Sequence, residues 1–546
     1  MDTRKLEIMA ISAPHWVKKA SNEIFSLNSL TPFSLQNTVR YAASKALLGE
    51  GNVSNSNWSS KDGLRNSVKM MEYFEDEKDK FIQYLKDKRP NVILIGSMTL
   101  AFVGAIKLAE IAKEILGENV VVILGGKHIN ETFFAKNEKI YNSNASPLRL
   151  MQEGKIKKVF DIVCSGESEE LLFYLLEFIG EKIKNGSDKQ NIIFELDKDI
   201  SLRDAKGRWL LGYLADREVR EIKSQGVPIN YNEMPVPAEI FGIKSNFPVF
   251  GTKFTSHAFS DTSTGCTFSC FFCSESFAMG SGGVDKDGAA IRMYKQFRKI
   301  KETAQRENHT DSVSVFVEDS TFLGTANNST QLEQLVELMG KDNFHIKFGV
   351  QFTVDILLNP RIQKDILDLK KFGLEYIFTG METEDENLAT KMSKNTDKGH
   401  YTWLSRNEQA ILFLKLNGIK YGVATLFGLG ETQETRMKQL EQIKSWQNQY
   451  GLPNVVSLNL ATLHPLRNLD SGEEFIEWGT SADSKYLEIF QRLFGESSER
   501  YRITQANIPT LEELQDIEKK YKTLELFQEQ EKNKETKEMR KNISIH

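Results

Sequence analysis

The chain has 546 residues, of which 40% are hydrophobic, so it can form two to four domains that each bury a core. Its 70 basic and 75 acidic side chains give a formal charge of -5, which argues against nucleic acid as a partner. Four cysteines are too few for a disulfide framework, which excludes the class of disulfide-stapled secreted proteins.

The apolar segments of the chain are short. The opening MDTRKLEIMAIS lacks the basic start and long apolar run of a signal peptide. The longest apolar runs, NVVVILGG and NVILIGSM, are strand-sized and well short of the roughly 18 residues that a membrane helix requires. We therefore expect a cytoplasmic protein with no transmembrane span and no membrane partner.

In residues 1–184, short β-rich runs alternate with helical patterns. The runs lie at 6–12, 91–97, 119–126 and 159–166, and AFVGAIKLAEIAKEILGE has helical spacing between the second and third. Strands that alternate with helices are typical of parallel βαβ units. We predict an α/β fold that begins with a Rossmann-like, doubly wound domain over 1–184.

Ligands of doubly wound sheets bind outside the carboxyl ends of the strands. In this domain that edge comprises Ser97 to Thr99, Gly125 to His128 and Ser165 to Glu167. Gly125 and Gly126 are equally consistent with a tight turn that leaves a strand. Cys164, inside the apolar run VFDIVCSG, is typical of a small core side chain.

After residue 184 the pattern changes and then returns to alternation. Residues 185–250 contain a small hairpin and a proline-punctuated stretch, which indicate a linker. Strand patterns follow around 252–266, 312–322, 344–355, 374–383 and 419–432, most of them leading into a helix. This order predicts a full or partial (β/α) TIM barrel over 251–445. We expect a mainly helical C-terminal region over 446–546.

Three of the four cysteines lie in the stretch TGCTFSCFFCSESF, at spacing C-x3-C-x2-C. A zinc site would need a fourth ligand, for which His257 is the candidate, because the following SESFAMGSGGVDKDG contains no Cys or His. A redox C-x2-C pair would leave Cys266 unexplained. A 4Fe-4S cluster held by three thiolates leaves one iron open to an exogenous ligand, as catalysis would require.

The segment CTFSCFFC resembles the cluster motif of radical S-adenosylmethionine (SAM) enzymes, with Phe272 in the aromatic place. By this resemblance Cys266, Cys270 and Cys273 bind a 4Fe-4S cluster, whose fourth iron takes the amino and carboxylate groups of SAM. Electron transfer would then release methionine and a 5′-deoxyadenosyl radical. The resemblance implies a small-molecule substrate and an electron donor such as flavodoxin or ferredoxin.

Polar and glycine residues at strand ends extend the resemblance to the SAM site. Each acid, taken alone, is more often a helix cap or a surface charge, but the shared position at strand ends favours a site. By the resemblance, the residues that surround SAM are Phe272, Glu318, Gln351, Glu382 and Gly428.

The N-terminal domain resembles the cobalamin-binding domain of one large class of these enzymes. Members show a Gly-Gly after one strand and G-E-x-E after the next. The matching positions, with a histidine that could face the corrin, are Gly125, Gly126, Gly166, Glu167 and His128. The D-x-H-x-x-G motif of many cobalamin proteins is missing from the sequence, which leaves open that the domain has lost the cofactor.

These resemblances together imply a cobalamin-dependent radical SAM enzyme. We expect a C-methyltransferase that acts on an unactivated carbon of a small metabolite or natural-product intermediate. The alternative is a radical SAM rearrangement, cyclisation or oxidation, with cobalamin bound or lost. A third hypothesis is a non-catalytic sensor in which the sheet domain binds a ligand and the cysteines hold a metal. The sequence does not identify the substrate.

Overall fold

The computed structural model describes residues 5–15, 33–71, 73–117, 119–136, 138–261, 270–273, 288–324, 330–392, 401–462, 484–494 and 507–524. Two sheets covered by helices, of seven and six strands, make up most of this part of the chain. Within it, no helix combines the length and apolar character needed to cross a membrane.

The first sheet has seven strands. They are β1 (Ile8–Ser12), β2 (Val68–Met70), β3 (Val92–Gly96), β4 (Val121–Gly125), β7 (Ile162–Gly166), β8 (Trp209–Ala215) and β9 (Glu218–Lys223), with β5 (Phe133–Lys136) and β6 (Lys139–Asn142) forming a separate hairpin. Their spatial order is β2-β1-β3-β4-β7-β8-β9, and the first five are parallel.

Helices cover both faces of this sheet. They are α1 (Phe33–Leu47), α2 (Lys61–Ser67), α3 (Phe74–Lys88), α4 (Phe102–Leu116), α5 (Lys127–Thr132), α6 (Pro147–Gln152), α7 (Glu169–Lys184), α8 (Lys189–Glu195) and, after the sheet, α9 (Pro237–Phe241). Alternate residues of the strands pack against α1 and α7 on one face and against α3 and α4 on the other. Strands that are buried on both faces are expected to be apolar throughout, as β3 and β4 are.

The hairpin β8–β9 belongs to the first sheet, whereas the sequence predicts a linker with a small hairpin over 185–250. Strand β8 pairs antiparallel with β7, and β9 pairs with β8, so both belong to the first sheet. The reason is hydrophobic, because Trp209, Leu210 and Leu211 are fully or almost fully buried against the two cores of this domain. The sheet therefore continues to Lys223, beyond the predicted boundary at residue 184.

The second sheet is a parallel half barrel. Its strands are β10 (Phe254–Ala258), β11 (Val313–Val317), β12 (Lys347–Phe352), β13 (Leu374–Glu382), β14 (Lys420–Phe427) and β15 (Val455–Leu460), which pair in chain order. The partial barrel is thus confirmed, and β15 is a sixth strand beside the five that the sequence identifies. Strand β15 lies in the region predicted to be mainly helical, and it pairs in register with β14.

Helices follow the barrel strands. They are α10 (Ala289–Asn308), α11 (Thr330–Lys341), α12 (Val354–Leu357), α13 (Pro360–Lys371), α14 (Glu386–Lys391), α15 (Trp403–Leu416), α16 (Gln433–Tyr450), α17 (Ser484–Phe494) and α18 over 511–524. Their apolar faces share one core with the outward side chains of the strands, such as Val313, Val315 and Val317 of β11.

Aromatic side chains close one end of the barrel lumen. The rings of Phe247, Phe250, Phe316 and Tyr376 pack edge-on or tilted, with centroids 5.6–6.3 Å apart. Gly422 leaves room for this floor, because a Cβ there would lie 1.9 Å from the Tyr376 hydroxyl. Lumen-facing residues beyond Phe316 on β11 therefore lie above the floor, toward the carboxyl ends of the strands.

A buried ion pair joins the two sheets. Arg40 of α1 donates a hydrogen bond from Nη2 to Oδ2 of Asp261, which follows β10, at 2.9 Å. The two side chains are 2% and 3% exposed. A second, more exposed contact joins Lys61 and Arg65 of α2 to Glu307 of α10, at 2.9 and 2.7 Å. Helices α1 and α2 thus dock on the half barrel through charge as well as packing.

Replacement of Arg40 by methionine should destabilise the protein strongly. Arg40→Met leaves the Asp261 carboxylate buried without its hydrogen-bonded cation, although the charge of Arg292 still acts on it. Loss of one partner of a buried ion pair costs about 3–5 kcal/mol in other proteins. Lys61→Met removes a half-exposed partner of Glu307 and should cost less than about 1 kcal/mol. Urea unfolding measures both. Equal losses for the two variants would contradict a special role of the buried pair.

The cost of Arg40→Met should also grow with pH. Burial raises the pKa of Asp261 above 3.8, and Arg40 acts in the opposite direction. Without Arg40 the native carboxyl binds its proton still more tightly, so the native state loses stability relative to the unfolded state as pH rises above 3.8. Unfolding free energies of variant and wild type should therefore differ more at neutral than at mildly acid pH.

Candidate functional site

The second and third cysteines of the motif lie at the carboxyl edge of the half barrel. The backbone N–H of Cys273 donates to the Cys270 carbonyl at 3.1 Å, which closes a tight turn. Phe271 and Phe272 pack with Leu426 of β14 and Leu429 and Ala461 beyond the strand ends. Cys266 lies outside the described residues, so the cysteine triad stays a prediction.

The turn after β14 is built around Glu431. Its carboxylate accepts the backbone N–H groups of Gly428 and Leu429 at 2.8 Å and the Arg436 guanidinium at 2.9 Å. Gly428 has φ 86, and a Cβ there would lie 3.2 Å from the Ala461 carbonyl oxygen. Glycine at 428 therefore permits a close approach of backbone, and Glu431 is a structural cap.

Glu318 and Gln351 lie on neighbouring strands above the aromatic floor. Phe316 pairs in register with Gly349, so Glu318 and Gln351 follow on the lumen side of β11 and β12. Glu318 Oε1 accepts a hydrogen bond from Nδ1 of His257 at 2.5 Å. His257, on the lumen side of β10, is a residue that the sequence indicated only as a possible zinc ligand. The signal that could have identified His257 is its place in β10, from which its side chain faces the lumen on the same side of the sheet as Glu318.

Asp319, next to Glu318, has a structural role at the strand ends. It accepts hydrogen bonds from Ser260 N and Oγ at 2.8 and 2.6 Å and from Leu323 N at 2.9 Å. Burial raises its pKa to about 6, although these donors favour the charged form. Asp319 therefore links the ends of β10 and β11.

Glu382 ends strand β13 with unusual backbone geometry. Its φ is 63, in the left-handed region that residues other than glycine seldom adopt, and the register with β14 shifts between Gly380 and Glu382. Gln439 of α16 donates to the Glu382 carbonyl at 2.8 Å. A strained residue at a strand end is typical of functional sites.

Gly125 and Gly126 allow strands β3 and β4 to meet closely. Ser97 N donates to the Gly125 carbonyl at 2.9 Å, and His128 N donates to the Ser97 carbonyl at 3.0 Å. A Cβ on Gly126 would lie 2.6 Å from Ser97 N. The pair therefore has at least a structural role at the edge where a ligand of this domain would bind.

Gly166 and Glu167 lie at the end of β7. Gly166 has φ 84, and its N–H donates to Asn130 Oδ1 at 2.8 Å. The buried carboxylate of Glu167 accepts the backbone N–H and the guanidinium of Arg208, each at 3.0 Å. Glu167 thus fixes the residue that precedes β8, and its carboxylate points to Arg208.

His128 is a core residue in the structure. Its Nε2 donates to the Ala145 carbonyl at 3.2 Å, Nδ1 lies 3.1 Å from Thr99 Oγ1, and the ring stacks on Phe102 at 4.1 Å. Burial lowers its pKa to about 4. We predicted that His128 could face a corrin, but it has no exposed surface and both ring nitrogens are engaged, so we leave it out of the proposed site.

Cys164 also belongs to the core, as the sequence indicates. It packs among the side chains that face α1 and α7, and burial raises the pKa of its thiol to about 12. The thiol is therefore neutral and is separated from the cysteine turn by the domain boundary.

Buried charges connect the carboxyl edges of the two sheets. Glu169 begins α7, directly after β7, and burial raises its pKa to about 7 although Arg40 opposes the shift. The pKa of Tyr231 is raised by burial and by Glu169, and Arg40 lies 6.0 Å from the Tyr231 ring centroid. Since Arg40 also binds Asp261 beyond β10, the two strand edges share one buried cluster.

Sequence comparison finds one methyltransferase relative. No protein-family model matches the chain. An uncharacterized methyltransferase of Pyrococcus horikoshii is 23% identical over 310 residues, which are 57% of this chain and 55% of the relative. The match thus spans about half the length of that protein.

Solved structures align with this chain at low sequence identity. OxsB, a cobalamin-dependent SAM radical enzyme with aqua-cobalamin bound, aligns over 81% of this chain and 52% of its own, with 15% identity and a TM-score of 0.50. TsrM from Kitasatospora setae, a radical SAM methyltransferase with cobalamin and a [4Fe-4S] cluster, aligns over 85% and 73%, with 14% identity and a TM-score of 0.49. The OxsB comparison confirms the predicted resemblance at the level of the fold.

Gly126→Ala should cost more stability than a matched glycine replacement. Gly126 and Gly117 have similar backbone angles, with φ 100 and 79, but a Cβ on Gly117 meets nothing within 4 Å. Gly117→Ala should therefore cost only backbone strain, roughly 1–3 kcal/mol. Gly126→Ala adds a clash with Ser97, for about 1–3 kcal/mol more. Equal unfolding midpoints in urea would contradict the close approach.

The pH dependence of stability should report the burial of His128. Because its native pKa is about 4, the unfolded state binds the extra proton between about 4 and 6.5, and stability falls as pH is lowered through that window. His128→Gln should remove up to roughly 3 kcal/mol of this pH dependence. The exposed His345, replaced by Gln, is the control. An unchanged slope in His128→Gln would contradict the core assignment.

Proposed function

We propose that this chain is a cobalamin-dependent radical SAM enzyme that methylates an unactivated carbon of a small metabolite or natural-product intermediate. The observation that carries the proposal is the meeting of two strand edges. Cys270 and Cys273 lie at the edge of the half barrel, Glu169 lies at the edge of the first sheet, and the Arg40–Asp261 pair ties the edges together. Such an enzyme needs both of its cofactors to face one cavity, and domain interfaces are common places for one.

The comparisons support the kind of chemistry. The OxsB structure, similar in fold, is that of a cobalamin-dependent SAM radical enzyme, and the Pyrococcus relative is described as a methyltransferase. The substrate class, a small molecule with an unactivated carbon, is our own inference. An electron donor such as flavodoxin or ferredoxin and a cytoplasmic location complete the proposal.

The donor groups on the barrel side fit the proposed cofactors. Thiolates are the usual protein ligands of a [4Fe-4S] cluster, and Cys270 and Cys273 would supply two of the three, with Cys266 as the third. Glu318 and Gln351 would bind polar groups of SAM from the strand ends, and the backbone beside Gly428 permits its close approach. Phe272 and Glu382 would border the same space.

On the side of the first sheet, glycine backbone forms the candidate cobalamin site. Gly125, Gly126 and Gly166 leave the strand ends without side chains, and Glu167 holds the neighbouring chain in place through Arg208. When bound, the cluster would supply the electron for SAM cleavage and cobalamin would carry the methyl group. The chain's own contribution is to bind and orient these groups and to exclude water.

Anaerobic reconstitution with iron, sulfide and hydroxocobalamin tests the proposal. After reduction with dithionite, which supplies the electron, we expect ultraviolet-visible and electron paramagnetic resonance spectra of a [4Fe-4S] cluster and of a bound corrin, with release of methionine and 5′-deoxyadenosine from SAM. Cys270→Ala and Cys273→Ala should lose the cluster signal and SAM cleavage. Cys164→Ala, which alters a core thiol, should retain both.

The outcomes separate the proposed function from its alternatives. A product heavier by one CH2 supports methylation, whereas an unchanged or dehydrogenated product mass would favour a rearrangement, cyclisation or oxidation. A chain that binds the cluster but no cobalamin would overturn the methyl-transfer proposal. Zinc in place of iron, with no cleavage of SAM, would favour a binding or sensory protein.

A further inference from the structure

His257 and Glu318 form a hydrogen-bonded pair that the proposed site does not yet explain. They lie on adjacent strands, β10 and β11, with His257 Nδ1 2.5 Å from Glu318 Oε1. His257 pairs in register with Phe316, which belongs to the aromatic floor. His257 therefore lies level with the floor and Glu318 lies above it, both on the lumen side of the half barrel.

The contact with Glu318 fixes the hydrogen on one ring nitrogen. A carboxylate only accepts hydrogen bonds, so Nδ1 of His257 carries the hydrogen that it donates. The other nitrogen, Nε2, is buried and has no partner within the described residues. If the ring served only to pack against Phe33, at 5.5 Å, an apolar ring would do so without burying an unpaired nitrogen.

Glu318 keeps one carboxylate oxygen for another partner. Its side chain is 31% exposed, and His257 is the partner that the described residues provide for it. A glutamate side chain loses considerable rotamer freedom when it is held in place, and a hydrogen bond from a fixed histidine can do this before a ligand arrives. The second oxygen, Oε2, is thus oriented in advance.

The surroundings leave the negative charge of Glu318 available. Two lysines, Lys347 of β12 and Lys420 of β14, are the first residues of their strands on the lumen side. Both side chains point toward the aromatic floor. Their Nζ atoms donate to the carbonyls of Phe250 and Val249, at 3.1 and 2.5 Å. Neither of these lysines therefore neutralises Glu318, and a cationic ligand group suits the position.

We propose that His257 is a positioning residue, which holds Glu318 so that its free oxygen accepts a hydrogen bond from the α-ammonium group of SAM. The inference rests on the proposed function, because that function supplies the ligand. A charge-assisted hydrogen bond of this kind contributes about 1.5–3 kcal/mol, which corresponds to at least a tenfold change in affinity.

Ligand binding to the reconstituted protein tests the proposal without reliance on turnover. S-adenosylhomocysteine has the ammonium group, and 5′-methylthioadenosine lacks it. His257→Phe, which removes the donor and keeps a ring, should weaken binding of S-adenosylhomocysteine about tenfold and leave 5′-methylthioadenosine unchanged. His257→Asn, whose side-chain amide can replace Nδ1–H, should restore binding to within a few-fold of wild type.

A double-mutant cycle separates positioning from general damage. If His257 acts through Glu318, His257→Phe should add little further loss when Glu318→Gln is already present. Independent, additive losses would overturn the positioning role. Thermal unfolding of all variants, with His345→Phe as the surface control, identifies any variant that has lost its fold. If His257→Phe does not fold, binding of S-adenosylhomocysteine is compared between His257→Asn and Glu318→Gln instead.

A spectroscopic readout is independent of the ligand. The chain has eight histidines, and His345 Nδ1 also faces an acceptor, the Asn343 carbonyl. With 15N-labelled histidine we expect an Nδ1-protonated ring whose signals change in Glu318→Gln, vanish in His257→Asn and persist in His345→Phe. An Nε2-protonated His257 would overturn the inference. Wild type that neither binds S-adenosylhomocysteine nor cleaves SAM would contradict the proposed function, whereas wild type that does both, with His257→Phe unchanged, overturns only the role of His257.

Discussion

The Arg40–Asp261 pair forms only while the two sheets are docked, and the arrangement of the candidate site depends on it. Burying a charge away from water costs free energy, and the cost is largest when no opposite charge lies beside it. Asp261 lies three residues after β10 and five residues before Cys266. This buried contact between the sheets therefore also fixes the point from which the cysteine segment departs.

Acidic residues at the strand ends divide into two groups by what they contact. Glu431, Asp319 and Glu167 accept backbone N–H groups, so their charges stabilise turns and strand ends. Glu318 instead contacts a side chain and keeps an exposed oxygen. A carboxylate that satisfies backbone donors has little capacity left for a ligand, and this separates structural acids from candidate binding acids better than sequence position does.

Sequence reasoning succeeded where the signal is local. Strands β3, β4 and β7 are continuous apolar runs because both of their faces are buried. The half-barrel strands β11, β12 and β13 contain polar residues but each leads into a helix, and this alternation identified them. Strand β15 was missed because Ser457 and Asn459 face the lumen, so its apolar residues alternate with polar ones in a region of helical patterns. The sequence predicts a small hairpin over 197–212, whereas the structure has its hairpin over 209–223 as part of the first sheet.

Long-range pairs were beyond the reach of sequence patterns. Arg40 and Asp261 are 221 residues apart, and His257 and Glu318 are 61 apart, so no periodicity relates them. Arg40 occupies a helix whose other buried residues are apolar apart from Gln36, and an arginine there is expected to reach solvent. Its burial is decided by the partner that docking supplies, and a single sequence does not encode that partner in readable form.

The β8–β9 hairpin bears on how the first domain could exist by itself. A fragment that ended at Lys184 would expose the hydrogen-bonding edge of β7, an apolar strand in the middle of the intact sheet. Exposed apolar edges of this kind recruit other chains and promote aggregation. The smallest unit of this domain with a protected edge therefore extends to Lys223. Strand β9 then forms the edge of the sheet, and its charged side chains oppose pairing with other chains.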